Sequence, residues 1–146
     1  MNLKRFLAIA VLSLMSFQGY ASHLLGGEIV WKCKPNGKYQ FTLVLYRECG
    51  GITLPTSAQS LATNAGVSIS CAFISTTDVV PSCYTGTTTC AGATSGTGKM
   101  QKYVYRSGDI TLTGTPPASG WYFTWTSCCR PSSITNVVSP GGASYL

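Results

Sequence analysis

The residues best able to do chemistry in this chain are its seven cysteines, Cys33, Cys49, Cys71, Cys83, Cys90, Cys128 and Cys129. They stand 16, 22, 12, 7, 38 and 1 positions apart. A zinc site wants close pairs such as C-x₂-C, or histidines to complete the set. The only histidine is His23, remote from most of the thiols, so zinc is not expected. The acids are four in number, Glu28, Glu48, Asp78 and Asp109, with no D-x-D-x-D-G loop to hold calcium. Nothing in the spacing singles out two of them as a carboxylate pair for glycoside cleavage. No G-x-S-x-G or H-E-x-x-H motif occurs. A Ser-His-Asp triad would have to use His23 at the extreme start of the mature chain, where a base is hard to hold rigid. The sequence therefore reads as non-enzymatic, with no cofactor and no metal.

The cysteines gain a different meaning from the N-terminus. Met1 to Arg5 is a short basic stretch, Phe6 to Phe17 is a nearly unbroken apolar run, and Gly19-Tyr20-Ala21 offers small residues for cleavage. That is the layout of a secretory signal peptide over residues 1–21. The run is too short for a membrane span, which needs about 20 residues. A secreted chain meets a compartment where disulfides form. Six cysteines, Cys33, Cys49, Cys83, Cys90, Cys128 and Cys129, are the disulfide candidates, and six allow fifteen pairings. Cys71 is the expected unpaired thiol. It alternates with Val67, Ile69 and Phe73, so it shares a core face and behaves as a small hydrophobe.

The elements that carry these residues are short strands and turns. Ile29 to Cys33 reads as a strand, and Asn36-Gly37 as a two-residue hairpin loop that places Cys33 opposite Gln40. That register keeps Cys49 too far from Cys33 for a bond. Tyr39 to Tyr46 alternates, with Tyr39, Phe41, Leu43 and Leu45 on one face. Gly50 to Gly66 is a long polar loop with at most a short strand. Val67 to Phe73, Gln101 to Arg106 and Asp109 to Thr113 read as further strands, and Thr85 to Lys99 as a Gly-rich loop. Trp121 to Cys129 is the most aromatic run, and on a strand Cys128 and Cys129 would point to opposite faces. No helix is credible after residue 21. The expected fold is all-β, an antiparallel, immunoglobulin-like β-sandwich stabilised by disulfides and formed as a single domain by residues 22–146.

Composition narrows the partners. Charged residues are only 10% of the chain, while 45% are hydrophobic and 11% aromatic, which excludes a coiled coil and wholesale disorder. Once the leader is removed, eight bases face four acids, and only Lys32, Lys34 and Lys38 cluster, at a hairpin end. A nucleic-acid footprint would need a dense basic face, so no nucleic-acid partner is expected.

Four pieces in order carry a resemblance. They are Ser22-His23-Leu24-Leu25-Gly26-Gly27-Glu28-Ile29, Tyr46-Arg47-Glu48-Cys49, Pro81-Ser82-Cys83 with Cys90, and Cys128-Cys129-Arg130 followed by Ile134-Thr135-Asn136. Together they resemble the N-terminal domain of large Bacteroidetes surface proteins, which carry S/T-H-I-V-G-G-E, Y-R-D-C and C-C-R-N-x-x-I-x-N. Those proteins are similar to gliding-motility-associated adhesins exported by the type 9 secretion system. The resemblance spans residues 22–146 and departs at Glu48, at Pro131 and at the additional Cys71. It implies a cell-surface location, adhesion or gliding motility as the process, and a protein or glycan as the partner, with no catalytic residue to carry over.

The resulting expectation is a non-catalytic extracellular domain for binding or spacing. Arg47 and Arg130, each beside a cysteine, are candidates for fixing loops through backbone carbonyls. A free-standing secreted subunit that self-assembles by strand exchange is the second reading. A carbohydrate-binding module using Trp31, Trp121 or Trp125 is the third. The strand-like close at Gly141 to Leu146 suggests a leading domain of a longer chain or a truncated product.

Overall fold

A computed structural model of the chain describes residues 24–80, 89–93 and 98–127. Six strands run through them: β1 (Leu24–Cys33), β2 (Tyr39–Glu48), β3 (Gln59–Thr63), β4 (Ile69–Val79), β5 (Met100–Ser107) and β6 (Phe123–Thr124). Their order is β1-β2-β5-β4-β3-β6, and every pairing is antiparallel. The class is thus all-β and antiparallel, but the described strands join one sheet instead of dividing into two.

The alternation in β2 sets the core. Phe41, Leu43 and Leu45 are each 1% exposed, and they meet Tyr103 and Tyr105 across the β2–β5 ladder. Leu24, Leu61, Ile69 and Cys71 complete the same cluster. Each large side chain taken out of water here contributes about 1.5–3 kcal/mol, which is what holds a low-charge sheet together. The Tyr105 hydroxyl stays satisfied by donating to the Pro55 carbonyl at 2.8 Å. That bond ties the loop before β3 to the core floor.

The hairpin between β1 and β2 corrects the expected register by one residue. Cys33 pairs with Tyr39, not Gln40. The reason is Pro35. A two-residue loop over Asn36-Gly37 would need an N–H from Pro35 to close it, and proline has none. The chain instead closes one residue earlier: Lys34 N–H donates to Lys38 C=O, and Gly37 N–H donates to Lys34 C=O. Pro35 then sits where a type I turn favours it, and Gly37 takes φ 74°, the left-handed position of a three-residue loop.

Two other strand expectations change. Asp109 to Thr113 forms no strand: only Ile110 bonds, exchanging both backbone hydrogen bonds with Tyr39. The free edge of β2 is used up, because β5 occupies it from Thr42 onward and Ser107 Oγ accepts the Phe41 N–H. The run from Trp121 contributes only Phe123–Thr124 as strand, with Cys128 and Cys129 outside the described residues. By contrast β1 and β4 are longer than their alternation suggests. β4 carries a bulge between Phe73 and Ser75, and the extra residue Ile74 is turned outward at 50% exposed. The strand continues to Val79 because β5 still offers partners there.

The sheet curls almost into a barrel. Phe41 on β2 and Phe123 on β6 have ring centroids 4.6 Å apart. Four strand steps separate them, which in a flat sheet would mean roughly 19 Å at about 4.8 Å per step. The turn is made within β3, which pairs with β4 through Gln59–Leu61 and with β6 through Ala62–Thr63.

Candidate functional site

One end of the sheet is fixed by a covalent and polar clamp. Cys49, just past β2, is bonded to Cys90, with Cα atoms 5.1 Å apart and a sequence separation of 41. The bond is of the kind that persists in oxidising compartments. Arg47 lies beneath it, only 6% exposed. Its Nε and Nη2 both donate to Gln101 Oε1, at 3.0 and 2.6 Å. Nη1 donates to the carbonyls of Glu48, Cys49 and Gly51, the last at 2.9 Å. The guanidinium also stands 5.8 Å from the centre of the Tyr103 ring. A planar fork satisfies strand and loop at once in a way a lysine could not.

The clamp extends to the second cysteine. Gln101 Nε2 donates to Asp78 Oδ1 at 2.8 Å, and the Cys90 N–H donates to Asp78 Oδ2 at 2.9 Å. The Cys90 amide, then Gln101, hold the Asp78 carboxyl below its ordinary range, with Arg47 adding a favourable charge. Asp78 and Gln101 carried no signal in the sequence, because nothing before folding says that β4 and β5 bring them under Arg47.

Cys71 is fully buried and free, and burial pushes its thiol up to about 11. A thiol so seldom ionised is inert as a nucleophile. Cys33, expected among the bridging cysteines, is exposed and outside any disulfide at the end of β1. Cys83, Cys128, Cys129 and Arg130 lie outside the described residues. Among the described residues no group of three or more His, Cys, Asp or Glu side chains could hold a metal, and no helix is long and apolar enough to cross a membrane.

The outer strand β1 runs beside this clamp, with Leu24 the ladder partner of Arg47. Between β1 and the chain around β6 lies a groove of about 270 Å³, lined by Leu24, Ile29, Leu43, Leu45, Phe123 and Trp125, with Glu28 on its rim. Its floor at Gly27 has no room for a side chain: a Cβ there would meet the Val44 carbonyl oxygen at 2.7 Å and Leu45 Cδ2 at 2.8 Å. This is the physical reason for glycine at the second position of the Gly26-Gly27 pair. Comparison with protein-family models, with curated proteins and with solved structures found no match.

β1 is an outer strand, and among the described residues only β2 is bonded to it. Among the described residues, three of the six exposed large hydrophobic ones, Leu25, Val30 and Trp31, lie on it. Trp31 is 59% exposed, held edge-on to Tyr39 at 5.8 Å. Trp125 instead packs against the core, its indole N–H donating to Gln59 Oε1 at 3.3 Å. Trp121 is half-buried beside the exposed Tyr122. The three tryptophans thus do not form one sugar-stacking platform, although Trp31 is presented to solvent.

Proposed function

We propose that the chain is a non-catalytic extracellular β-domain of a bacterial surface adhesin or gliding-motility-associated protein, serving in binding or spacing. The observation that carries this reading is the contrast between the clamped end and the outer strand β1, whose apolar side chains border a groove. A disulfide supports a location in an oxidising compartment. The facing of β2 and β6 across one apolar interior is compatible with an immunoglobulin-like sandwich, the fold the reading entails. Its partner is a cell-surface glycan or protein.

Protease shaving of intact cells producing the chain tests the location: removal of the domain from the surface is expected, and full protection contradicts the reading. Titration of the labelled chain onto cells treated with protease or periodate then separates a protein partner from a glycan. The second reading, a secreted subunit assembling by strand exchange, is favoured by the accessible β1 edge. It requires a ladder of oligomers, which a non-reducing gel of cross-linked protein would show.

A further inference from the structure

Among the described residues, the backbone groups of β1 that do not bond to β2 follow a fixed alternation. Lys34 N–H and C=O both point toward β2, since they bond to Lys38 and Gly37. Tyr39 spends both its backbone groups on Ile110, so Cys33 opposite it is a non-bonded pair whose own groups point away from β2. The register is regular from Gly26 to Cys33. Antiparallel alternation then aims the N–H and C=O of Gly27, Ile29, Trp31 and Cys33 outward. A long apolar strand edge with such a row is a template for another strand.

The side chains say which strand fits. We propose that β1 pairs antiparallel with β1 of a second copy about a two-fold axis through Val30. An isologous contact must match the strand to itself reversed. The axis must fall on a residue, because outward groups have to face outward groups. With Val30 on the axis, Glu28 lies opposite Lys32 of the second copy and Lys32 opposite its Glu28. Val30 meets Val30, and Ile29 meets Trp31 twice. Every charge on this stretch is matched by its opposite and every apolar side chain by another. Cross-strand ion pairs and aromatic–β-branched pairs are the favourable kinds. Shifting the axis to Ile29 or to Trp31 sets Val30 against Glu28 or Lys32 and loses this match. Glu28, Val30, Trp31 and Lys32 are all exposed in the single chain, so the partner needs no rearrangement to reach them.

The pairing stands apart from the adhesin reading, and it closes at two copies, unlike strand exchange. The Glu28→Lys and Lys32→Glu variants of the exported chain test it by sedimentation across a concentration series. Wild type is expected to form dimers, and each variant alone to associate at least tenfold more weakly, because like charges then face each other. Mixed in equal amounts, the two variants are expected to recover a dimer, since the lysine introduced in one chain then meets the glutamate introduced in the other. The doubly swapped chain is expected to dimerise as wild type does. Circular dichroism and melting of each variant establish that it is folded. A wild type that stays monomeric overturns the proposal, whether a segment of its own chain or an unrelated partner covers β1. Dimers indifferent to both substitutions, or failure of the mixture to associate, overturn it equally.

Discussion

The clamp and the neighbouring outer strand β1 treat polar groups in opposite ways. Around Cys49–Cys90, a buried arginine, a glutamine and an aspartate satisfy one another and four backbone groups. Along β1, a row of backbone groups faces away from the sheet beside exposed Val30 and Trp31. The clamp covalently joins the end of β2 to the segment between β4 and β5. On β1, among the described residues, only β2 is bonded to the strand.

Breaking the clamp should have the largest effect. Cys90→Ser removes the disulfide and is expected to cost about 2–5 kcal/mol, read as a fall in the denaturation midpoint under non-reducing conditions. Arg47→Ala should cost about 1–3 kcal/mol, because the buried Cys49 carbonyl and the half-buried carbonyls of Glu48 and Gly51 lose this donor, and Gln101 Oε1 is left with the Tyr103 hydroxyl at 3.4 Å. Arg47→Lys should recover little of that, lacking the second arm of the fork.

Gly27→Ala probes β1. Its methyl group would collide with the Val44 carbonyl, so a loss of about 1–3 kcal/mol is expected even though the position lies on the exposed strand. A smaller effect concerns pH. The depressed Asp78 carboxyl stabilises the fold fully above its unfolded value of 3.8, and that contribution is lost as pH falls through the lower folded value. The melting temperature of wild type should therefore drop more steeply below about pH 4 than that of Asp78→Asn. Smallest of all, Trp31→Ala in dilute protein should shift stability by no more than about 0.5 kcal/mol, as expected for an exposed site.

How far the sequence discloses this molecule follows from what each signal encodes. Period-two alternation marked β2 because Phe41, Leu43 and Leu45 face the core cluster, although Val44 on the other face is buried as well. The same alternation stopped short in β4, where a bulge at Ile74 reverses it, and misread Asp109 to Thr113, whose only available edge was already taken. The hairpin was visible in Asn36-Gly37, but its register depended on the missing N–H of Pro35. Cys71 was legible as a core thiol from its neighbours on the strand. The partner of Cys49 was not, since excluding Cys33 by the hairpin still left four other candidate cysteines for it. Arg47 stood out beside Cys49, whereas Asp78 and Gln101 meet it only through β4–β5 register. The curl that brings Phe123 onto Phe41 lies in the mid-strand change of partner in β3, for which no local pattern exists.

Residue-resolved amide hydrogen exchange of the dilute, monomeric chain decides whether β1 is an open edge. The amides of Ile29, Trp31 and Cys33 should exchange quickly, while those of Val30 and Lys32 on the same strand, and of Leu43 and Tyr105 in the core, exchange slowly. That alternation would show β1 to be paired on one side only. Uniform slow exchange along β1 in the monomer would contradict it, because the edge would then be covered within a single chain.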